Sequence, residues 1–116
     1  MKIYVKFVFI FLIFFISCSE VTSPPYISPP LALDAIIYIN NDIELLWTDS
    51  SDNEDGFKID RKIEDSEWVE ARGITSENVE SWIDSFSWEV KHYYRVYAFK
   101  GEYSSEYSNI YEIGGD

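Results

Sequence analysis

Residues able to do chemistry are few in this 116-residue chain: one cysteine, Cys18, one histidine, His92, and 21 Asp and Glu. A zinc-type site needs several His or Cys ligands on one ion, and this pair cannot supply them. Hard cations ask for clustered oxygens, and Asp49, Asp52, Asn53, Glu54 and Asp55 crowd one segment ahead of Gly56. That spacing fails the helix–loop–helix calcium pattern. With its glycine on Gly56, Ser51 falls at the first ligand position and Lys62 at the last. Such side chains bond local backbone donors in a turn, and Gly56 can take a positive φ. There is no Gly-x-Ser-x-Gly elbow and no phosphate-cradling glycine loop, and nothing is obviously reserved as a partner for His92. Acids such as Glu64, Asp65 and Glu67 would need a cleft to act on a sugar between them. The residues therefore predict no catalytic group, no metal and no cofactor.

Cys18 is different because of what precedes it. Lys2 and Lys6 lead into an apolar run from Phe7 to Ile16, followed by Ser17 and Cys18. The run is about half of what a membrane-spanning helix needs at 1.5 Å per residue, which disfavours a permanent anchor helix. An ordinary cleaved signal competes, since Ser17 and Ser19 are small residues at alternating positions. Residues 1–18 resemble most the signal peptide and lipobox of a bacterial lipoprotein, with Phe15 where that family usually has Leu. The resemblance implies diacylglycerol in thioether linkage on Cys18, cleavage after Ser17 and acylation of the new amino terminus. Two or three such chains, at about 0.8 kcal/mol per buried methylene, hold a protein on a bilayer stably. Ser19 in place of Asp implies an outer-membrane address, periplasmic or surface-exposed.

Removing the 17-residue leader leaves 99 residues, the size of one domain. Two of the nine basic residues leave with it, so seven face 21 acidic ones for a net charge of −14. Such a surface repels phosphate backbones, and no nucleic-acid partner is expected. All four prolines fall at positions 24, 25, 29 and 30. Proline fixes φ and removes a donor, so residues 18–30 read as an extended tether, twelve residues of which reach about 35 Å at 3.1 Å each.

From Leu31 the pattern alternates with period two and never sustains a helical repeat. Ile43, Leu45 and Trp47 alternate with Glu44, Leu46 and Thr48; Phe57, Ile59, Arg61 and Ile63 with Lys58, Asp60 and Lys62; Tyr94, Val96 and Ala98 with Tyr93, Arg95 and Tyr97. This is an all-β signature, one side of each strand in a core and the other in solvent. Asn40-Asn41-Asp42 reads as a hairpin turn and residues 49–56 as a loop.

The run from Leu45 to Arg61, with Trp82-Ile83-Asp84, Tyr93-Tyr94-Arg95-Val96-Tyr97-Ala98 and Tyr107-Ser108-Asn109, resembles a bacterial fibronectin type III domain over about residues 29–114, which implies a domain over residues 31–114. The resemblance implies a seven-stranded immunoglobulin-like sandwich with Trp47 buried. Its first, second and fifth strands face the third, fourth, sixth and seventh, near 31–38, 42–48, 56–63, 67–72, 80–84, 92–100 and 106–113. It also implies a tyrosine closing the corner before the sixth strand, where this chain has His92, an inward structural residue by parity. The integrin-type Arg-Gly-Asp motif is absent from residues 99–103.

Function is expected in binding. The outward residues Tyr93, Arg95 and Tyr97 line up beside Lys58 and Lys62, types that interfaces enrich, on the least negative face of an acidic chain. Cross-strand stacking of Arg95 on aromatics would produce the same pattern with no partner. Trp68 and Trp88 are candidates for stacking on a sugar, with core packing the favoured reading. The expected protein is a lipid-anchored spacer or interaction module with an unidentified protein partner. A surface glycan in an adhesion role is the alternative.

Overall fold

The computed structural model describes residues 23–115, so the leader, Cys18 and the first part of the tether lie outside the described residues. The described chain is all β: β1 (Leu31–Ile37), β2 (Asp42–Thr48), β3 (Gly56–Ile63), β4 (Val69–Ser76), β5 (Ser81–Ser85), β6 (His92–Lys100), β7 (Tyr103–Ser104) and β8 (Tyr111–Ile113). One sheet runs β1-β2-β5 and the other β4-β3-β6, with β7 and β8 both on β6. All pairings are antiparallel. The expected division of strands between two sheets is therefore present, with the seventh strand in two pieces.

Period-two alternation builds the core as expected. Ile43, Leu45 and Trp47 from β2 meet Phe57 and Ile59 from β3 and Tyr94, Val96 and Ala98 from β6, all buried. Trp47 packs on Phe57 with ring centroids 5.5 Å apart. At the β1–β2 turn the Asn41 amide donates to Tyr38 O at 2.9 Å, and Asn41 takes φ 71°. Asparagine tolerates this left-handed conformation better than most residues.

Three expectations are corrected. Gly56 does not have positive φ. Its side-chain position is filled instead by β4, since a Cβ there would lie 2.0 Å from Thr75 O. The fourth strand covers Val69–Ser76 instead of 67–72, because β3 pairs with it through Gly73 to Ser76; glycine is required at 73, where the Trp82 indole would come within 2.3 Å of a Cβ. The last strand is not continuous over 106–113. Between its pieces the Ser105 and Ser108 hydroxyls accept from the Ala98 and Val96 amides at 2.9 and 3.0 Å. Asn109 likewise accepts from Leu33 N at 2.8 Å and donates to Leu33 O at 3.1 Å, as a peptide group would. Side chains replace part of the ladder here, the Ser105 and Ser108 amides still donating to Ala98 O and Val96 O at 2.9 and 2.8 Å, which satisfies the backbone without regular strand geometry.

The proline segment is not a free stalk to its end. Ile27 is buried in the core cluster and Pro30 is fully buried. Asn53 Nδ2 donates to Tyr26 O at 3.1 Å, and Ser50 Oγ to Pro29 O at 2.7 Å.

Candidate functional site

The register of β3 on β6 sets the outer face of the larger sheet. Lys58 opposes Tyr97, Asp60 opposes Arg95 and Lys62 opposes Tyr93. All five expected face residues, Lys58, Lys62, Tyr93, Arg95 and Tyr97, therefore share one surface. Each cation lies over a ring: Lys58 Nζ 4.7 Å from the Phe99 centroid, Lys62 Nζ 4.7 Å from Tyr93 and 5.8 Å from Trp68. Arg95 is sandwiched, its Cζ 4.0 Å from the Trp68 ring and 3.8 Å from Tyr107. Tyr107 in turn meets Tyr97 edge to face at 5.2 Å.

Beneath this lattice lies a carboxylate that alternation assigns to solvent. Asp60 is fully buried. Its Oδ2 accepts from Arg95 Nε at 3.0 Å and its Oδ1 from the Ala71 amide at 2.9 Å. Ala71, at φ 53°, sits in an irregularity of the β3–β4 register between the Ile59 and Arg61 pairings. Asp60 thus fixes both the bulge and the guanidinium that the aromatics clamp. Burial, with the Asp60 charge adding to it, pushes the Tyr97 phenol up. Burial also raises Tyr107, with Asp60 adding and Arg95 opposing. Both remain neutral donors near pH 7. Trp68 and Tyr107 were not expected in this face, and the favoured core reading of Trp68 is corrected: its indole covers Arg95 on the outside. Trp88 is half exposed, edge-on to the buried Phe86 at 4.8 Å.

A second charged cluster was missed entirely. Asp84 on β5 accepts from Arg61 Nη1 of β3 at 3.1 Å and from Arg72 Nε and Nη2 of β4 at 2.9 Å each. Tyr94 Oη donates to it at 3.0 Å. These bonds tie the two sheets together. Burial alone would raise the Asp84 carboxyl. Hydrogen bonds from Arg72, the Ser85 amide and Tyr94, with the Arg61 charge, outweigh that and hold it below the ordinary carboxylate value. Burial beside the Asp84 charge pushes the Tyr94 phenol far up. Arg61 faces inward as its parity says, and the signal was there: an arginine in an apolar alternation needs an acid across the sheet.

His92 is the buried corner residue its parity predicts, with Nδ1 3.1 Å from Val90 O and its ring edge-on to Phe86 at 5.9 Å. Burial lowers its pKa despite the Val90 carbonyl. The tyrosine that bonds toward β5 is Tyr94, two residues on, and its acceptor is a side chain. In the 49–56 loop, Asp49 accepts from the Ser51 amide at 3.0 Å and Glu54 from the Asn78 amide at 2.9 Å. Asp49 serves its own turn; Glu54 and Asp55, which accepts from Gly101 N at 2.8 Å, tie the loop to other turns. Among the described residues no three His, Cys, Asp or Glu are grouped to hold a metal.

No protein-family model matches the sequence, and no curated protein is similar to it. Solved structures are similar in shape. An Fn3-like protein from Clostridium thermocellum has 16% identity and TM-score 0.61, over 77% of this chain and 93% of that one. The FN3 domain of human collagen XX has 13% identity and TM-score 0.60, over 79% and 98%. Part of a beta-1,2-glucanase from Parabacteroides distasonis has 18% identity and TM-score 0.64, over 83% of this chain and 14% of that one. With the paired antiparallel sheets and the core centred on Trp47, these similarities give the described chain the fold of a single fibronectin type III β-sandwich.

Proposed function

We propose that the protein is a non-catalytic, lipid-anchored component of a bacterial cell envelope whose sandwich serves as a protein-interaction or spacer module. Anchoring rests on the Lys2, Lys6, Phe7–Ile16 and Cys18 pattern. The interaction role rests on one observation: the clamped array of Trp68, Tyr93, Arg95, Tyr97 and Tyr107, flanked by Lys58 and Lys62, on the open side of the larger sheet. Rigid aromatics and a pre-ordered arginine lose little entropy on contact, which is what favours them at binding hot spots. The buried acids support a non-catalytic role, since Asp60 and Asp84 are committed to arginines and to strand geometry.

Two measurements test this reading. Cys18→Ala is expected to move the protein from the membrane fraction to the soluble one; a variant still in the membrane would end the lipid-anchor reading. Replacing Tyr93, Arg95 and Tyr97 together is expected to abolish capture of a partner in a pull-down, with a glycan array run beside it. Loss of a glycan signal instead would assign the face to carbohydrate, and loss of neither would leave the spacer role.

A further inference from the structure

The chain enters the sandwich at one end, and that has a consequence for which end meets a partner. Tyr26 and Pro29 are bonded to the 49–55 loop. That loop is bonded in turn to the β6–β7 turn, Asp55 N to Phe99 O at 2.7 Å and Gly101 N to Asp55 Oδ2 at 2.8 Å. If Cys18 carries the anchor, as proposed above, these loops face the membrane. β1 then runs seven residues away from it, roughly 23 Å at the rise of an extended strand. At its far end the β1–β2 turn joins the β5–β6 connection through Phe86 N to Asn41 O at 3.1 Å.

This far end carries three of the large apolar side chains that packing leaves outside. Ile39 is 100% exposed, Trp88 50% and Tyr38 42%. Trp88 is held in place: its ring lies on Phe86 and its carbonyl accepts from Gly115 N at 2.9 Å. Glu89 N is tied to Ser87 Oγ at 3.2 Å in the same turn. A half-exposed tryptophan with little freedom to lose is the residue type that anchors interfaces. The surrounding charge is one-sided. Asp42 and Glu89 lie in or beside these turns, Glu64 of the β3–β4 turn accepts from Lys91 N at 3.0 Å, and Lys91 Nζ is paired with Glu112 at 3.5 Å.

We infer that this end, built by the β1–β2 turn and the β5–β6 connection, is a docking surface for a protein segment with an apolar centre flanked by lysine or arginine. Trp88 and Ile39 fill its apolar part and the acidic rim selects its charge. The inference rests on the anchored reading for its direction away from the membrane, but not for the contact itself.

The test selects random peptides displayed on phage against the full chain in detergent micelles. Peptides with an apolar centre and basic flanks are expected to be enriched. Their affinity should fall at least tenfold with Trp88→Ala and with Ile39→Ser, and much less with Arg95→Ala. Salt should weaken them. Amide shifts on binding should map to residues 38–41 and 86–89. Enrichment of acidic peptides, shifts on the Lys58–Arg95 face or in the 49–55 loop, or no enrichment would each overturn the proposal. Thermal unfolding of both variants separates lost contact from lost fold. Cys18→Ala leaves the peptide assay unchanged, so failure of the anchor and failure of the docking surface are read independently.

Discussion

Asp60 shows how one residue can reverse what alternation assigns to it. Its position on β3 points it at solvent, yet Trp68, Arg95 and Tyr107 cover it and nothing of it is exposed. A charge removed from water is tolerable only when paired, and Asp60 has Arg95 on one oxygen and the Ala71 amide on the other. Arg95→Ala should therefore destabilise the domain by about 3 kcal/mol, the usual cost of stranding a buried charge. Arg95→Lys should recover only part, because an ammonium cannot stack flat between two rings. Urea unfolding of both variants checks this; a loss below about 1 kcal/mol for Arg95→Ala, the range of an exposed pair, would mean that the carboxylate is solvated. The five face residues were legible from parity alone, since β3 and β6 pair without a break. Asp60 and Trp68 were not, because a bulge and a long side chain folding back over a sheet leave no periodic trace.

Among the elements, β4 departs from its reading for a local reason. Gly73, just past the expected end of the strand, is the point where the fourth strand passes over the Trp82 ring of the opposite sheet. Gly73→Ala should cost about 1–3 kcal/mol by overpacking, since a flat indole with buried neighbours has little room to retreat. Combining it with Trp82→Phe should return part of that loss, a coupling that a double-mutant cycle measures directly. Additive effects would mean that Gly73 is needed only for its backbone. The other boundaries came out well where alternation is strong, in β2, β3 and β6. They failed where side chains replace the ladder, as at Ser105, Ser108 and Asn109. The proline segment was misjudged in the same way. Composition correctly denied it a strand, but Ile27 is an isolated apolar residue whose burial no local pattern announces.

At the scale of the whole molecule, two effects of opposite sign govern stability as pH falls. A net charge of −12 repels itself, and protonating surface carboxylates relieves this near pH 4. His92 and Asp84 act the other way, because the folded state lowers both pKa values. The unfolded chain then binds the proton more readily, so each contribution is complete above the unfolded pKa and is lost as pH falls toward the folded one. For His92 the loss begins near its ordinary value of 6.5, and for Asp84 near 3.8. Between pH 7 and 5.5 most carboxylates stay ionised and net charge changes little, so the His92 contribution decides the slope. Stability should decline across that interval, each unit of pKa depression being worth about 1.4 kcal/mol. His92→Phe should flatten that slope while keeping contact with Phe86. The decisive measurement is a set of urea midpoints against pH in about 1 M salt, where the screening length falls to about 3 Å and surface repulsion is removed while buried groups keep their environment. If the wild type shows no decline over pH 7–5.5 in salt, the buried imidazole does not control stability in that interval.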